Sequence, residues 1–288
     1  MLITKPGFYR DFAIRAEYHN DPCPEPSLSR SVAKTILTRT PYHAWYEHPR
    51  LNPEYEYVSE DKFDIGTAAH AILLKAGDEI KVIDADSYRS KDARLERDTA
   101  RQMGMIPLLP EQYERAEEAA ISVRNQLGNF GLEYVLNGDS EVVCAGMDPE
   151  AGWVRCMFDK IAQEEAFDFK FTAIQINHDN LARHCAQMQY EFQQCFYERV
   201  AGTVADQMPP KDFTFIFVEN KPPYAVLPVK LPPDAIAKGR ANVDRACRLW
   251  AAAKKNAKWP MFEGEIPRLE YPAYSVAAWA DLQEEAAE

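Results

Sequence analysis

No run of apolar residues in this sequence approaches the ~20 needed to cross a bilayer as a helix. The opening stretch, MLITKPGFYRDF, places a charge soon after each apolar patch and lacks a signal-peptide core. These absences predict a cytoplasmic protein with no membrane partner. Cysteine is sparse and unordered: Cys23, Cys144, Cys156, Cys185, Cys195 and Cys247 are scattered, with no CxxC pair. Neither a disulfide framework nor an iron–sulfur cluster is expected from that spacing, and buried reduced thiols are. Positive charge is in deficit, 33 Lys and Arg against 45 Asp and Glu, for a net charge of −12. Such a molecule repels nucleic acid at long range, so any DNA contact needs a local basic surface and metal ions to offset the acids. The deficit argues against nonspecific coating of DNA and leaves open chemistry built from carboxylates. No repeat or low-complexity tract is present.

What is present is an ordinary globular composition, 46% hydrophobic and 27% charged over 288 residues. A proline-rich loop leads into a short helix with Leu28, Val32, Ile36 and Leu37 at helical spacing, capped by Ser27 or Ser29. An aromatic turn follows Pro41. FDIGTAAHAILLKAG reads as a second helix with a stripe of Ile65, Ala68, Ala69, Ile72 and Leu73 and with His70 on its border. A polar helix then carries Lys91, Arg94, Arg97 and Arg101 roughly along one side, which suits either a solvated face or one that tracks phosphates. EQYERAEEAAISVRNQLGNF is strongly amphipathic. Three strands come next, SEVVCAGM, WVRCMFDKIA and FDFKFTA, forming an antiparallel meander in which each contributes an acid: Glu141, Asp159 and Asp168. The spacing of Leu181, Cys185, Met188, Phe192 and Phe196 predicts one long helix, with Gln193 and Tyr197 sharing an edge. Two strands hinged at KPP, a last long helix and a loop-rich tail bearing Trp259 and Trp279 complete the chain. This order predicts an α/β or α+β domain with a central mixed sheet flanked by helices.

FDFKFTA carries the chemistry. Alternation along a strand puts Phe167, Phe169 and Phe171 on one face and Asp168 and Lys170 on the other. Taken alone, the pair also describes a solvated edge or a cross-strand ion pair. Asp159 adds weight, because it sits between Met157 and Ile161 on an apolar face, where a buried acid needs a partner. Hard divalent cations prefer carboxylate oxygens, and Asp159 and Asp168 on neighbouring strands could converge on one ion. Lys170 would then stand within reach of an attacking water or a phosphate. Glu141 suits either a surface acid or a metal ligand. His70 is also what a satisfied helix histidine looks like, and Gln193 and Tyr197 also suit helix–sheet packing.

The ordered set H…E…D…DxK…QxxxY resembles the PD-(D/E)xK nuclease superfamily, and within it the RecE-like branch, exonuclease VIII and its phage relatives. SLSRSVAKTILTRTPYHAWYEHPRLNP is similar to that family's opening segment and FDIGTAAHAILL to its histidine helix. EVVCAGMDPEAGWVRCMFDKI with FDFKFTA is similar to its catalytic strands, and YEFQQCFYERV to its Q-x-x-x-Y helix. The likeness runs from about Ser27 to the helix near Trp250. Phe171 departs from the threonine common after the lysine, and RCMFD lacks the family's glycine–arginine–proline approach to the acid. Relatives with a C-terminal cysteine cluster are disfavoured, since only Cys247 lies in the last third.

The resemblance implies a single nuclease domain over 1–288, with a helical segment at about 27–130 and the tail at about 258–288. It implies that His70, Asp159, Asp168 and the Phe169 carbonyl bind Mg2+, with Mn2+ able to substitute. Lys170 would activate water and stabilise the pentacovalent phosphate, with Glu141 the least secure member of the catalytic set. Gln193 and Tyr197 would shape the site beside the DNA end, and Arg94, Arg97 and Arg101 would line the DNA path. The implied activity is 5′→3′ degradation of linear double-stranded DNA by a homo-oligomeric ring, leaving 3′ overhangs for a RecT-like single-strand annealing partner. A catalytically inactive DNA- or protein-binding module and a structure-specific endonuclease are the alternatives.

Overall fold

A computed structural model describes residues 2–10, 15–55, 65–270 and 273. Phe63 and Asp64 of the histidine-helix motif and Trp279 with most of the distal tail lie outside the described residues, as does the side chain of Ile65.

The chain begins with β1 (Gly7–Tyr9), α1 (Arg15–His19) and β2 (Leu28–Ser29), then α2 (Arg30–Thr38) and α3 (Pro41–Tyr46). Ser29 caps α2 by accepting the Val32 N–H at 3.4 Å, and Thr40 caps α3 ahead of Pro41. The expected aromatic turn is therefore one and a half turns of helix. Next come α4 (Ile65–Leu74), β3 (Ile80–Val82), α5 (Lys91–Gln102), β4 (Ile106–Leu108) and α6 (Pro110–Leu127). Ser90 caps α5 through the Ala93 N–H at 3.1 Å. The meander is β5 (Asp139–Asp148), β6 (Gly152–Ala162) and β7 (Glu165–Thr172). Beyond it lie α7 (His178–Met188), α8 (Tyr190–Gly202), β8 (Asp212–Glu219), β9 (Val226–Val229) and α9 (Pro233–Asn256).

Among the described residues, seven strands form one sheet in the order β1-β5-β6-β7-β8-β9, with β2 alongside β6. The β5–β6–β7 meander is antiparallel as expected, and β8 returns parallel to β7 through α7 and α8, which makes the sheet mixed. Buried side chains of α2, α8 and α9, including Ile36, Phe196 and Trp250, pack against Cys144, Cys156 and Phe158 of the sheet. Leu73 of α4 and Val123 and Leu127 of α6 pack against Phe167, Phe169 and Ile216 from the other side. The result is a mixed α/β architecture with the sheet between helices. Its β9 edge is blunted: the Val226 N–H donates to Gln126 Oε1 at 3.1 Å, and Pro228 has no N–H.

Two further expectations fail, both near the acids. The single long helix after the meander is two helices, because Gln189 adopts the left-handed conformation (φ 58°, ψ 49°) between them. Its N–H closes α7 on the Cys185 carbonyl, and the bend leaves Met188, expected in the buried stripe, 40% exposed. In exchange Tyr190 is turned onto Phe215 and Phe217, at ring-centroid distances of 5.3 and 5.6 Å. The second failure is the expected apolar β6 face of Met157, Asp159 and Ile161. Trp153 and Met157 do share a cluster, yet Ile161 packs with Val154, Cys156 and Phe158 from the opposite parity. The alternation changes phase at Asp159. Across the ladder, the register runs Ser140↔Lys160 and then Val142↔Phe158, skipping Glu141, whose φ of 48° takes it out of the extended conformation.

Candidate active site

The phase change, the bend at Gln189 and the end of the β6–β7 ladder coincide. That ladder stops at Lys160↔Phe167, so Asp159 and the backbone around Phe169 face each other where the strands have parted. A cleft of about 290 Å³ opens there, lined by Gly66, Thr67 and His70 of α4, Asp159 of β6, and Phe169, Lys170 and Phe171 of β7.

His70 Nε2 lies 2.9 Å from Asp159 Oδ2, and the Phe169 N–H donates to the same oxygen at 2.9 Å. In an extended strand the N–H and C=O of one residue point to the same side, so the Phe169 carbonyl also faces Asp159. Asp168 is buried, its Oδ1 in an ion pair with Lys170 Nζ and its Oδ2 accepting a hydrogen bond from Gln193 Nε2. Arg30 Nη2 in turn donates to Gln193 Oε1 at 3.2 Å, and the Lys170 ammonium stands 5.3 Å above the Tyr190 ring.

The electrostatics separate the two aspartates. Burial opposes ionisation of Asp159, but the His70 charge and hydrogen bond, Lys170 and the Phe169 N–H outweigh it and hold the carboxyl at about 2. For Asp168 burial wins: its pKa is raised, with Lys170 pulling it down and the neighbouring Asp159 charge pushing it up. Tyr190 is also raised, chiefly by burial and then by the Asp168 charge.

Of the residues singled out from sequence, the fold brings together His70, Asp159, Phe169 and Lys170 in the cleft wall, with Asp168 and Gln193 directly behind. Glu141 stands opposite Asp159 in register, but it does not line the cleft. Its Oε1 turns towards Gly77, 3.2 Å from where a Cβ there would stand. Tyr197 packs edge-on against Phe158 and Phe213, at 5.1 and 6.2 Å, within the core on the α8 side. The arginines of α5 are engaged locally. Arg94 donates to the Ser90 and Arg89 carbonyls, while Arg97 pairs with Asp98 and lies over the Tyr88 ring. Arg101 follows on the same helix. Sequence reasoning missed Arg30 and Tyr190. Arg30 directly follows the capping Ser29, which is a usable signal, whereas Tyr190 reaches the site only through the bend.

The resemblance implies a divalent cation in this cleft, and the donor set permits a test. Asp168 Oδ1 is a buried oxygen that makes no hydrogen bond of proper geometry, its neighbour being the Lys170 charge. It retains accepting capacity beside the Asp159 carboxylate and the Phe169 carbonyl. Two carboxylates and a carbonyl are oxygen donors that suit a hard divalent ion, and the one imidazole is a softer donor beside them. Among the described residues, however, no three His, Cys, Asp or Glu side chains are gathered as a finished metal cage. The expected convergence of His70, Asp159 and Asp168 on one point is instead two separate contacts, His70 with Asp159 and Lys170 with Asp168.

The architecture defines a mixed α/β protein whose sheet opens onto a polar cleft. No family model and no curated protein matches the chain. A solved structure described as "Putative exonuclease" from Eubacterium rectale has the same fold, with a TM-score of 0.55 and 11% identity over 96% of this chain and 99% of that one. Among the described residues no helix is long and apolar enough to cross a membrane.

Proposed function

We propose that the chain is a metal-dependent exodeoxyribonuclease of the RecE-like kind, acting on linear double-stranded DNA. The carrying observation is the placement of Lys170 between a buried Asp168 and the Tyr190 ring, at the wall of a cleft that also presents Asp159 and His70. The likeness to a structure described as an exonuclease supports the same reading. Asp159, Asp168, the Phe169 carbonyl and His70 would hold Mg2+, with Mn2+ able to replace it. When bound, the ion supplies a more acidic water and charge balance on the phosphate.

The chain's own groups do the rest. The Lys170 ammonium, fixed on two sides, orients the water and offsets charge that builds on the phosphoryl oxygens. Gln193, anchored by Arg30, holds the Asp168 carboxylate in place. His70 and the Phe169 N–H keep Asp159 ionised. With a net charge of −12, the protein also depends on cations for DNA to approach. We extend the reading to 5′→3′ polarity, to 3′ overhangs passed to a RecT-like annealing protein, and to a homo-oligomeric ring.

The test is cleavage of linear and closed circular duplexes, each end-labelled, with and without Mg2+. Mg2+-dependent loss of the linear substrate alone, absent in Lys170→Ala, is expected. Cutting of the circle would replace this reading with an endonuclease. No cutting of either substrate would replace it with a binding module, and full activity in Lys170→Ala would remove the mechanism.

A further inference from the structure

Away from the cleft, a second and larger cavity of about 340 Å³ lies between α7, β9 and the start of α9. Leu181, Leu227, Val229, Leu231 and Ala235 give it an apolar floor, and Lys230 and Lys238 stand on its rim. Both lysines have partners, Asp212 and Glu191, but their side chains remain 57% and 58% exposed. At the other end of α9 the chain carries the opposite feature. Trp259 packs on Trp250 at 5.4 Å and the Pro260 carbonyl accepts the Tyr42 N–H, which anchors the chain there. The next ten residues form an arm without helix or strand whose large apolar side chains stand in solvent: Phe262 is 84% exposed, Ile266 96% and Leu269 83%. Glu263, Glu265 and Glu270 are interspersed among them.

An apolar groove rimmed by Lys230 and Lys238, each paired with an acid of its own, and a bare apolar arm carrying three glutamates and Arg268 are complementary first in their apolar surfaces. Fifteen helical residues separate Ala235, at the groove, from Trp250, at the anchor, which is about 22 Å. Phe262, two residues past the anchored Pro260, reaches at most about 7 Å beyond it and cannot enter its own groove, so the arm as a whole can seat only in another molecule's. Ile266 and Leu269 alone could span the distance, and crosslinks between copies separate the two cases. We propose that the arm, residues 261–270, seats in the groove of a second copy of this chain. The contact is head-to-tail, since the surfaces at the two ends of α9 differ, and such contacts build a ring when the rotation closes. It thus deepens the homo-oligomer proposed above and is independent of the chemistry proposed for the cleft.

The full chain tests this with a photoreactive residue in place of Ile266, in a mixture of 15N-labelled and unlabelled copies. Crosslinks joining labelled to unlabelled chains within residues 227–238 are expected. Sedimentation should show that the double variant Ile266→Asp/Leu269→Asp, altered only at exposed positions, self-associates at least about tenfold more weakly, because a carboxylate is excluded from an apolar groove. Ala235→Glu, on the groove side, should do the same with an unchanged circular dichroism spectrum. Crosslinks confined to single copies, a chain that is monomeric at every concentration, or association unaltered in both variants would each overturn the proposal. DNA cleavage measured on the same samples reports separately on the cleft.

Discussion

Two clusters in this molecule are built from the same kinds of side chain, and only one of them is open. Asp21, Ser27, His48 and Arg155 unite an acid, an imidazole and a cation, as Asp159, His70 and Lys170 do. In the first cluster Asp21 and His48 are wholly buried at 3.4 Å, and Arg155 is 3.0 Å from Asp21. Asp21 Oδ1 accepts from Ser27 Oγ at 2.6 Å and Oδ2 from the Ser27 N–H at 2.8 Å, so both oxygens are answered. Arg155 also donates to the Tyr18 and Ser27 carbonyls, tying the N-terminal loop to β6. The cleft differs in two respects. His70, Asp159 and Lys170 are 15–22% exposed, and Asp168 Oδ1 lacks a proper hydrogen bond. A closed and satisfied network is a strut, while an open one whose groups still reach solvent can accept something else.

Neutralising one aspartate in each cluster should give opposite results. Asp168→Asn is expected to lower DNA cleavage by at least about 10²–10³-fold without lowering the melting temperature. Burial already raises the Asp168 pKa, so ionisation there costs stability at neutral pH and the amide relieves it. Asp21→Asn is expected to leave the cleavage rate of the folded protein intact but to cost about 3–5 kcal/mol, as for other buried ion pairs broken on one side. Denaturant titration beside a cleavage assay checks both. A stability loss in the first variant equal to that in the second would erase the distinction.

Acid should act on the closed cluster through His48. Burial, with Arg155 and Arg50 adding to it and Asp21 and the Ser27 carbonyl opposing, lowers its pKa to about 4. The unfolded chain takes up a proton near 6.5 that the folded chain refuses until about 4. Stability from this residue is therefore complete above pH 6.5 and is lost as pH falls towards 4. The loss is about 3 kcal/mol at roughly 1.4 kcal/mol per pH unit. His48→Gln should flatten that part of the stability–pH curve, whatever other groups titrate there. Parallel curves for the two proteins would show that His48 contributes nothing.

The two clusters were also unequally legible in sequence. Asp168 and Lys170 could be read because strand alternation with three phenylalanines displays them, and the meander because DPEAGW and QEE punctuate it. The amphipathic helices followed from their periodicity, α6 among them. Nothing in the sequence assembles Asp21, His48 and Arg155, of which Arg155 stands more than a hundred positions from the other two. The contact of Arg30 with Gln193, 163 positions away, escaped for the same reason. β2, β3 and β4 have two or three residues each and leave no period to detect. The phase change at Asp159 and the bend at Gln189 carry no glycine or proline, so local signals predicted continuity where tertiary packing of Glu141 and Tyr190 imposed a break.

That bend gives the smallest effect and the finest division between the clusters. Gln189 holds a left-handed φ of 58°, which costs a residue with a Cβ about 1–2 kcal/mol relative to glycine. Gln189→Gly removes that strain but adds freedom to the unfolded chain, so a net gain between about 0 and 1 kcal/mol is expected. Cleavage should be unchanged, because Tyr190 keeps its place under Lys170. Gln189→Val puts a β-branched side chain where the left-handed region disfavours it most. It should cost about 1–2 kcal/mol and slow cleavage several-fold as Tyr190 shifts, while the pH response assigned to His48 stays as it is. Should Gln189→Val cleave DNA at the wild-type rate, the bend serves packing alone and Tyr190 does not position Lys170.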